Sequence, residues 1–198
     1  ASMFKAAHGA EVPLPFPRIT YQEAMDKYGS DKPDTRYGLE IVDMADVFAD
    51  SGFKIFKSTL DNGGVVRAIN AKGFAGITTG QMIRLNELAI EAGMKVKQLA
   101  FIKVERNAEG VLEYKSPLWK FFGEAEQQAL LAKLNVEEND IVFFYAGTWE
   151  DACNILGRTR IEIANMQKLT EGSTALNFLW VVDFPLLAFS PEDQAWVA

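Results

Sequence analysis

Between Asp140 and the pair Gly147-Thr148 lies an unbroken apolar run, Ile141-Val142-Phe143-Phe144-Tyr145-Ala146. It has no alternation and is too short for a long helix, which places it as a strand in the interior of a sheet. Gly147-Thr148 then opens a helix, for which Thr148 and Asp151 suit the N-terminus and Gly157 marks a break. The other segments have to be arranged around this strand.

Two capping boxes anchor helices upstream. Thr20 and Glu23 start a helix over 21–28 that Gly29 ends, and Thr78 and Gln81 start another. Met82, Leu85, Leu88, Ala89 and Ala92 continue the second at helical spacing until Gly93. Between them the pattern predicts a short helix over 42–49, then strands at Phe53-Lys54-Ile55-Phe56 and 65–70 forming a hairpin around Asn62-Gly63-Gly64. A second hairpin joins 99–104 to 111–114 across Asn107-Ala108-Glu109-Gly110, and a helix follows over 124–134. This order predicts an α+β fold: two layers, one antiparallel sheet covered by helices on one face.

Both flanks read differently. Val12-Pro13-Leu14-Pro15-Phe16-Pro17 has three alternate prolines, which force an extended path. Gly29 to Arg36 is a polar, turn-rich joint, and Thr170 to Thr174 is another. Phe178 to Pro185 reads as a strand belonging to something outside the domain. Ala1-Ser2 before Met3 matches a cloning scar, so residues 1–11 are set aside as a leader.

Composition removes several kinds of chemistry. The net charge is -7, with 20 Lys and Arg against 27 Asp and Glu, so any nucleic-acid contact has to be local. The one cysteine, Cys153, and one histidine, His8, leave no Cys/His zinc site and no intramolecular disulfide, which suits a reducing, cytoplasmic compartment. No apolar stretch approaches the roughly 20 residues of a membrane helix. A Ser-His or Cys-His pair would need His8, which lies in the leader. Cys153 reads as a small buried hydrophobe. Gly73 to Gly80 precedes a helix without the lysine of a phosphate loop, so a capping turn is the main reading and a ligand-binding turn the other. Glu137-Glu138-Asn139-Asp140 reads as a solvated loop, because consecutive carboxylates do not converge on one ion. Leu118-Trp119-Lys120-Phe121-Phe122 forms either an aromatic core patch or a surface that stacks a base. The most chemically loaded tract is Asp31-Lys32-Pro33-Asp34-Thr35-Arg36, read as a salt-linked turn.

Two of these segments carry a resemblance. Phe16-Pro17-Arg18-Ile19-Thr20-Tyr21-Gln22-Glu23-Ala24-Met25, with Tyr28-Gly29-Ser30-Asp31-Lys32-Pro33-Asp34-Thr35-Arg36, resembles the segment that leads into the insertion of bacterial-type aspartyl-tRNA synthetases. Phe178-Leu179-Trp180-Val181-Val182-Asp183-Phe184-Pro185-Leu186 resembles the strand by which that family returns to its catalytic core. The stretch between resembles the DCoH-like GAD insertion, which the family shares with an archaeal amidotransferase subunit acting on glutamyl-tRNA.

The resemblance implies a class II aspartate–tRNA ligase that joins aspartate to ATP and passes it to tRNA, with ATP and Mg2+ as cofactors and a homodimer as its assembly. It implies four stretches: the leader, incoming core segment 12–37, GAD insertion 38–172 and returning core strand 173–198. Catalytic residues of that family lie in the second and third class II motifs and in a His-His-Pro-Phe segment, none of which occurs here. Arg18 is a decoy for the second motif, since it runs straight into a helix start. No catalytic, cofactor or metal residue is therefore carried over. Asp31, Lys32, Asp34, Arg36 and Asp183 match the family in position and are expected as boundary scaffold. The chain alone is expected to be inactive and to bind tRNA weakly or not at all. The alternative is a stand-alone DCoH-like interaction or binding module without catalysis.

Overall fold

The computed structural model describes residues 2–9, 11–190 and 193–197, except the side chains of Ser2, His8 and 188–190. In chain order the elements are α1 (Ser2–His8), β1 (Arg18–Thr20), α2 (Tyr21–Tyr28), β2 (Val42–Asp43), α3 (Ala45–Phe48), α4 (Lys54–Asp61), β3 (Val65–Ala71), α5 (Thr79–Glu91), β4 (Ala100–Arg106) and β5 (Leu112–Lys115). A 3-10 turn over Trp119–Phe121 follows, then α6 (Glu124–Lys133), β6 (Ile141–Gly147), α7 (Trp149–Met166), β7 (Trp180–Val182), β8 (Ala188–Ser190) and β9 (Ala195–Val197).

The apolar run is the middle strand of five. The sheet has the order β2-β3-β6-β4-β5 and every pairing is antiparallel. β6 lies between β3 and β4, with Ile141 opposite Ala71 on one side and opposite Lys103 on the other. The α+β class with one antiparallel sheet is as expected. The layering differs, because helices pack on both faces and not on one. Alternate residues of a strand point to opposite sides. Val66, Ala68, Ile102, Val142 and Phe144 join Phe48, Phe56 and Leu130 of α3, α4 and α6, with Met44 just before α3 and Phe122 just after the 3-10 turn. Ala71, Ile141 and Phe143 join Leu85, Ala89, Ile155 and Ile163 of α5 and α7 on the other face.

Both capping boxes form. Thr20 Oγ1 accepts from the Glu23 amide at 3.1 Å while Glu23 Oε2 accepts from the Thr20 amide at 2.9 Å. Thr78 and Gln81 repeat the exchange at 3.2 and 2.9 Å, each such cap contributing about 1 kcal/mol. The β4–β5 hairpin also forms as expected.

Three local expectations fail. Phe53 to Phe56 is the start of a helix, not a strand, because Phe53, Phe56 and Leu60 make an apolar stripe at helical spacing against Phe48 and Phe122. Asn62-Gly63-Gly64 therefore joins helix to strand and is no hairpin turn, and β3 pairs with β2 and β6. The helix over 42–49 shortens to α3, since Val42 and Asp43 add an edge strand to β3. Likewise α7 runs without a break through Gly157. The leader carries α1, whose Phe4 ring meets Phe178 edge-on at 5.4 Å.

The two flanks meet outside the main sheet. β1 and β7 pair in parallel, Arg18 opposite Trp180 and Thr20 opposite Val182. Trp180 also donates its amide to the Pro17 carbonyl at 2.8 Å.

Candidate functional site

The tract singled out in sequence lies where α7 meets the incoming segment. Asp34 and Arg36 form a forked ion pair: Nε donates to Oδ1 at 3.0 Å, and Nη2 to Oδ2 at 2.6 Å. The Arg36 fork holds the Asp34 carboxyl below its usual range, and Asp34 raises Arg36 in turn. The salt-linked reading of the turn holds for Asp34 and Arg36. Asp31 and Lys32 have no ion-pair partner among the described residues.

Lys32 to Arg36 face Ala175 to Phe178 across a cleft of about 330 Å³. Asp183 is elsewhere: it lies at a positive φ of 58° in a second cleft of about 490 Å³ with Tyr21, Gln22 and Trp149. Four of the five boundary positions are thus divided between two openings, Asp31 lining neither, and Glu150 shares the second with Asp183.

What fixes the turn was not visible in sequence. Arg160 of α7 is 1% exposed and, among the described residues, has no carboxylate on its guanidinium. It donates instead to the carbonyls of Asp34 at 2.6 Å, Tyr37 at 3.2 Å, Gly38 at 3.1 Å and Leu39 at 3.1 Å, and to the Tyr37 hydroxyl at 3.1 Å. The rings of Tyr37 and Tyr28 lie 4.3 and 4.9 Å from its Cζ. Burial lowers its pKa, opposed by the neighbouring tyrosines and Asp34. Carbonyl dipoles and π faces are the partners a weakly hydrated, delocalised cation accepts when no anion is present. One signal existed: Arg160 falls in register with Cys153, Leu156 and Ala164 on the buried face of α7.

A second joint holds α2. Asp26 Oδ1 accepts from Arg67 Nη2 at 2.5 Å and from the Trp149 indole at 2.7 Å, and Oδ2 from Gln22 at 3.0 Å. Burial would raise the Asp26 pKa, and these hydrogen bonds reverse it, leaving it lowered. Beside it Gly29, at φ 65°, closes α2 against Gly157; a Cβ on Gly157 would stand 2.6 Å from the Gly29 carbonyl oxygen. Only two glycines allow the chain to approach α7 so closely.

The other candidates resolve into structure. Cys153 is fully buried, donates to the Met25 carbonyl at 3.4 Å, and burial pushes its thiol up to about 11. The His8 side chain lies outside the described residues. The solvated-loop reading of 137–140 fails at Asp140, which is 1% exposed. Its carboxylate accepts from Asn70, the amides of Gly73 and Glu137, and Lys72 at 2.8–3.0 Å. Those donors outweigh burial and lower its pKa. Gly73 is therefore the amide side of a structural lock, and Gly80 lies in the first turn of a capped helix. In the aromatic tract Phe122 is in the core, whereas Phe121 is 49% exposed.

Among the described residues no three His, Cys, Asp or Glu side chains converge as a metal site, and no helix is long and apolar enough to cross a membrane. The arrangement of Arg160 and Asp26 can brace one segment against another.

The GAD domain family matches residues 56–156, just over half of the 198 residues. The chain belongs to the GAD domain family. Similarity runs well past the GAD domain itself. The chain is 45% identical over 200 aligned residues to the Aspartate–tRNA(Asp/Asn) ligase of Opitutus terrae, covering 99% of this chain and 32% of that protein. The ligases of the same name from Bacillus subtilis and Aquifex aeolicus are 42% and 39% identical over all of this chain, which covers 32% and 31% of them. The GAD-bearing chain thus spans about a third of the length of the curated relatives it matches.

Proposed function

We propose that the chain is part of an aspartate–tRNA ligase, with the GAD insertion over 38–172 held between an incoming core segment, 12–37, and a returning strand, 173–198. The parent enzyme, a cytoplasmic homodimer, activates aspartate with ATP and transfers it to tRNA. The inserted domain takes no part in that chemistry and braces the core near the tRNA acceptor arm.

The observation that carries this reading is the parallel pairing of β1 with β7. It brings the two segments that resemble the core side by side outside the five-stranded sheet. The Arg160 and Asp26 joints support it, because they clamp the incoming segment onto α7 by side chains that act as braces. Among the described residues no three His, Cys, Asp or Glu side chains converge, and ATP and Mg2+ are assigned to other parts of the parent because the resemblance implies them there.

The test is aspartate-dependent exchange of pyrophosphate into ATP by this polypeptide alone. The expected result is background, and exchange above background overturns the reading. Affinity for tRNA at physiological salt should be weaker than about 1 μM, since the chain's charge of -7 repels a phosphate backbone at long range.

A further inference from the structure

One face of the domain departs from its acidic character. Where α4, the loop between α5 and β4, and the turn before α6 come together, Phe53, Ile55, Met94, Val96, Leu118 and Phe144 line an apolar cleft of about 180 Å³. Ile55 and Val96 are 62% and 61% exposed at its mouth, and no acidic side chain lines it.

Four lysines adjoin these residues: Lys54 between Phe53 and Ile55, Lys95 and Lys97 on either side of Val96, and Lys120 between Leu118 and Phe121 along the chain. All four are exposed, and none has an ion-pair partner among the described residues. Lys57, Lys72, Lys115 and Lys133, by contrast, each hold a carboxylate. Like charges grouped around an apolar cleft repel one another, and an anion laid across them relieves that repulsion.

The aromatic content of the rim narrows the anion. Phe121 is half exposed, its ring stacked 5.5 Å from that of Phe53 and capped at 5.1 Å by Lys120 Nζ. An exposed aromatic ring among cations is the arrangement that stacks a base while its neighbours hold phosphates.

We propose that this face binds single-stranded RNA, with phosphates on Lys54, Lys95, Lys97 and Lys120 and an unstacked base over Phe121. The choice of RNA over an acidic peptide follows from the half-exposed ring, on which a base stacks as Lys120 swings from it to a phosphate and for which peptide carboxylates have no use. It rests also on the ligase reading, whose relatives are named for tRNA. Because the surrounding charge is negative, the contact is short-ranged, weak and strongly dependent on salt.

Fluorescence anisotropy of the full chain with a labelled RNA of about ten nucleotides tests it, with polyglutamate as competitor. Lys95→Glu with Lys97→Glu should weaken binding about tenfold and flatten the log–log salt slope by about 1.4, near 0.7 per lost phosphate contact. Phe121→Ala should weaken it by about tenfold while leaving that slope unchanged. The charge-matched pair Lys27→Glu and Arg158→Glu, away from the cleft, should stay within about twofold. Every substituted side chain is exposed, so each variant should keep the parent circular-dichroism melt. Absence of RNA binding, or binding indifferent to these changes, overturns the proposal. So does displacement by polyglutamate with no effect of Phe121→Ala, which assigns the face to an acidic peptide. Pyrophosphate exchange shares no step with this measurement, so the RNA site and the ligase reading fail separately.

Discussion

The domain around the five-stranded sheet and the segments on either side of it are built on different principles. In the domain, β6 is buried on both sides and Ile141 to Phe144 are all 0–1% exposed. In the returning flank Trp180 is 58% exposed, Phe184 52%, Leu186 87% and Trp196 67%. Among the described residues the flanks have strands and large exposed apolar side chains, and the joints that hold them to the domain at Asp26 and Arg160 are polar. The exposed apolar side chains of the flank await the rest of the parent under the ligase reading, and in this chain the buried sheet and the polar joints should fail under different insults.

Phe144→Ala should produce the largest effect. It empties a site packed against Phe48 and Phe56 and should lower unfolding free energy by about 4 kcal/mol, measured by urea titration. A loss confined to one part of the five-stranded sheet would break the contrast between a shared core and separate joints. Gly157→Ala should cost less, about 2 kcal/mol, and only locally. Amide exchange should accelerate across 21–29 while β3 and β6 keep their protection, and equal acceleration of both would erase the contrast.

The smallest effect is a matter of pH. The Asp26 carboxyl is lowered in the folded chain, so its contribution to α2 docking is complete above the unfolded carboxylate value of about 4. That contribution is lost as pH falls through the lower folded value. Exchange at 25–29 should therefore rise only in acid. In Asp26→Asn it should be slightly raised at neutral pH and flat below it. An acid response that persists in the variant would assign the sensitivity to another group, Asp140 first.

Elements set by neighbours in sequence were legible, while those set by distant partners were not. Thr20 with Glu23 and Thr78 with Gln81 are hydrogen-bonded three residues apart, so the chain itself states them. The Asp34–Arg36 pair was readable for the same reason. Phe53 to Phe56 satisfied both a two-residue and a helical period, and only the contact with Phe122 decides between them. Arg160 acts on residues more than a hundred positions away, and Asp140 is buried by Asn70 and Lys72 from another strand edge. The covering of both faces was implicit in Ile141 to Phe144: four consecutive apolar residues point to both sides of a sheet, and so require two covers.

The β1–β7 pairing has one more consequence. Seen from the strands, everything from Tyr21 to Leu179 is a single loop whose ends are already neighbours. Closing a long loop costs only logarithmically more than closing a short one. A module of this size can therefore be acquired, exchanged or lost during evolution while the two strands it hangs from keep their register.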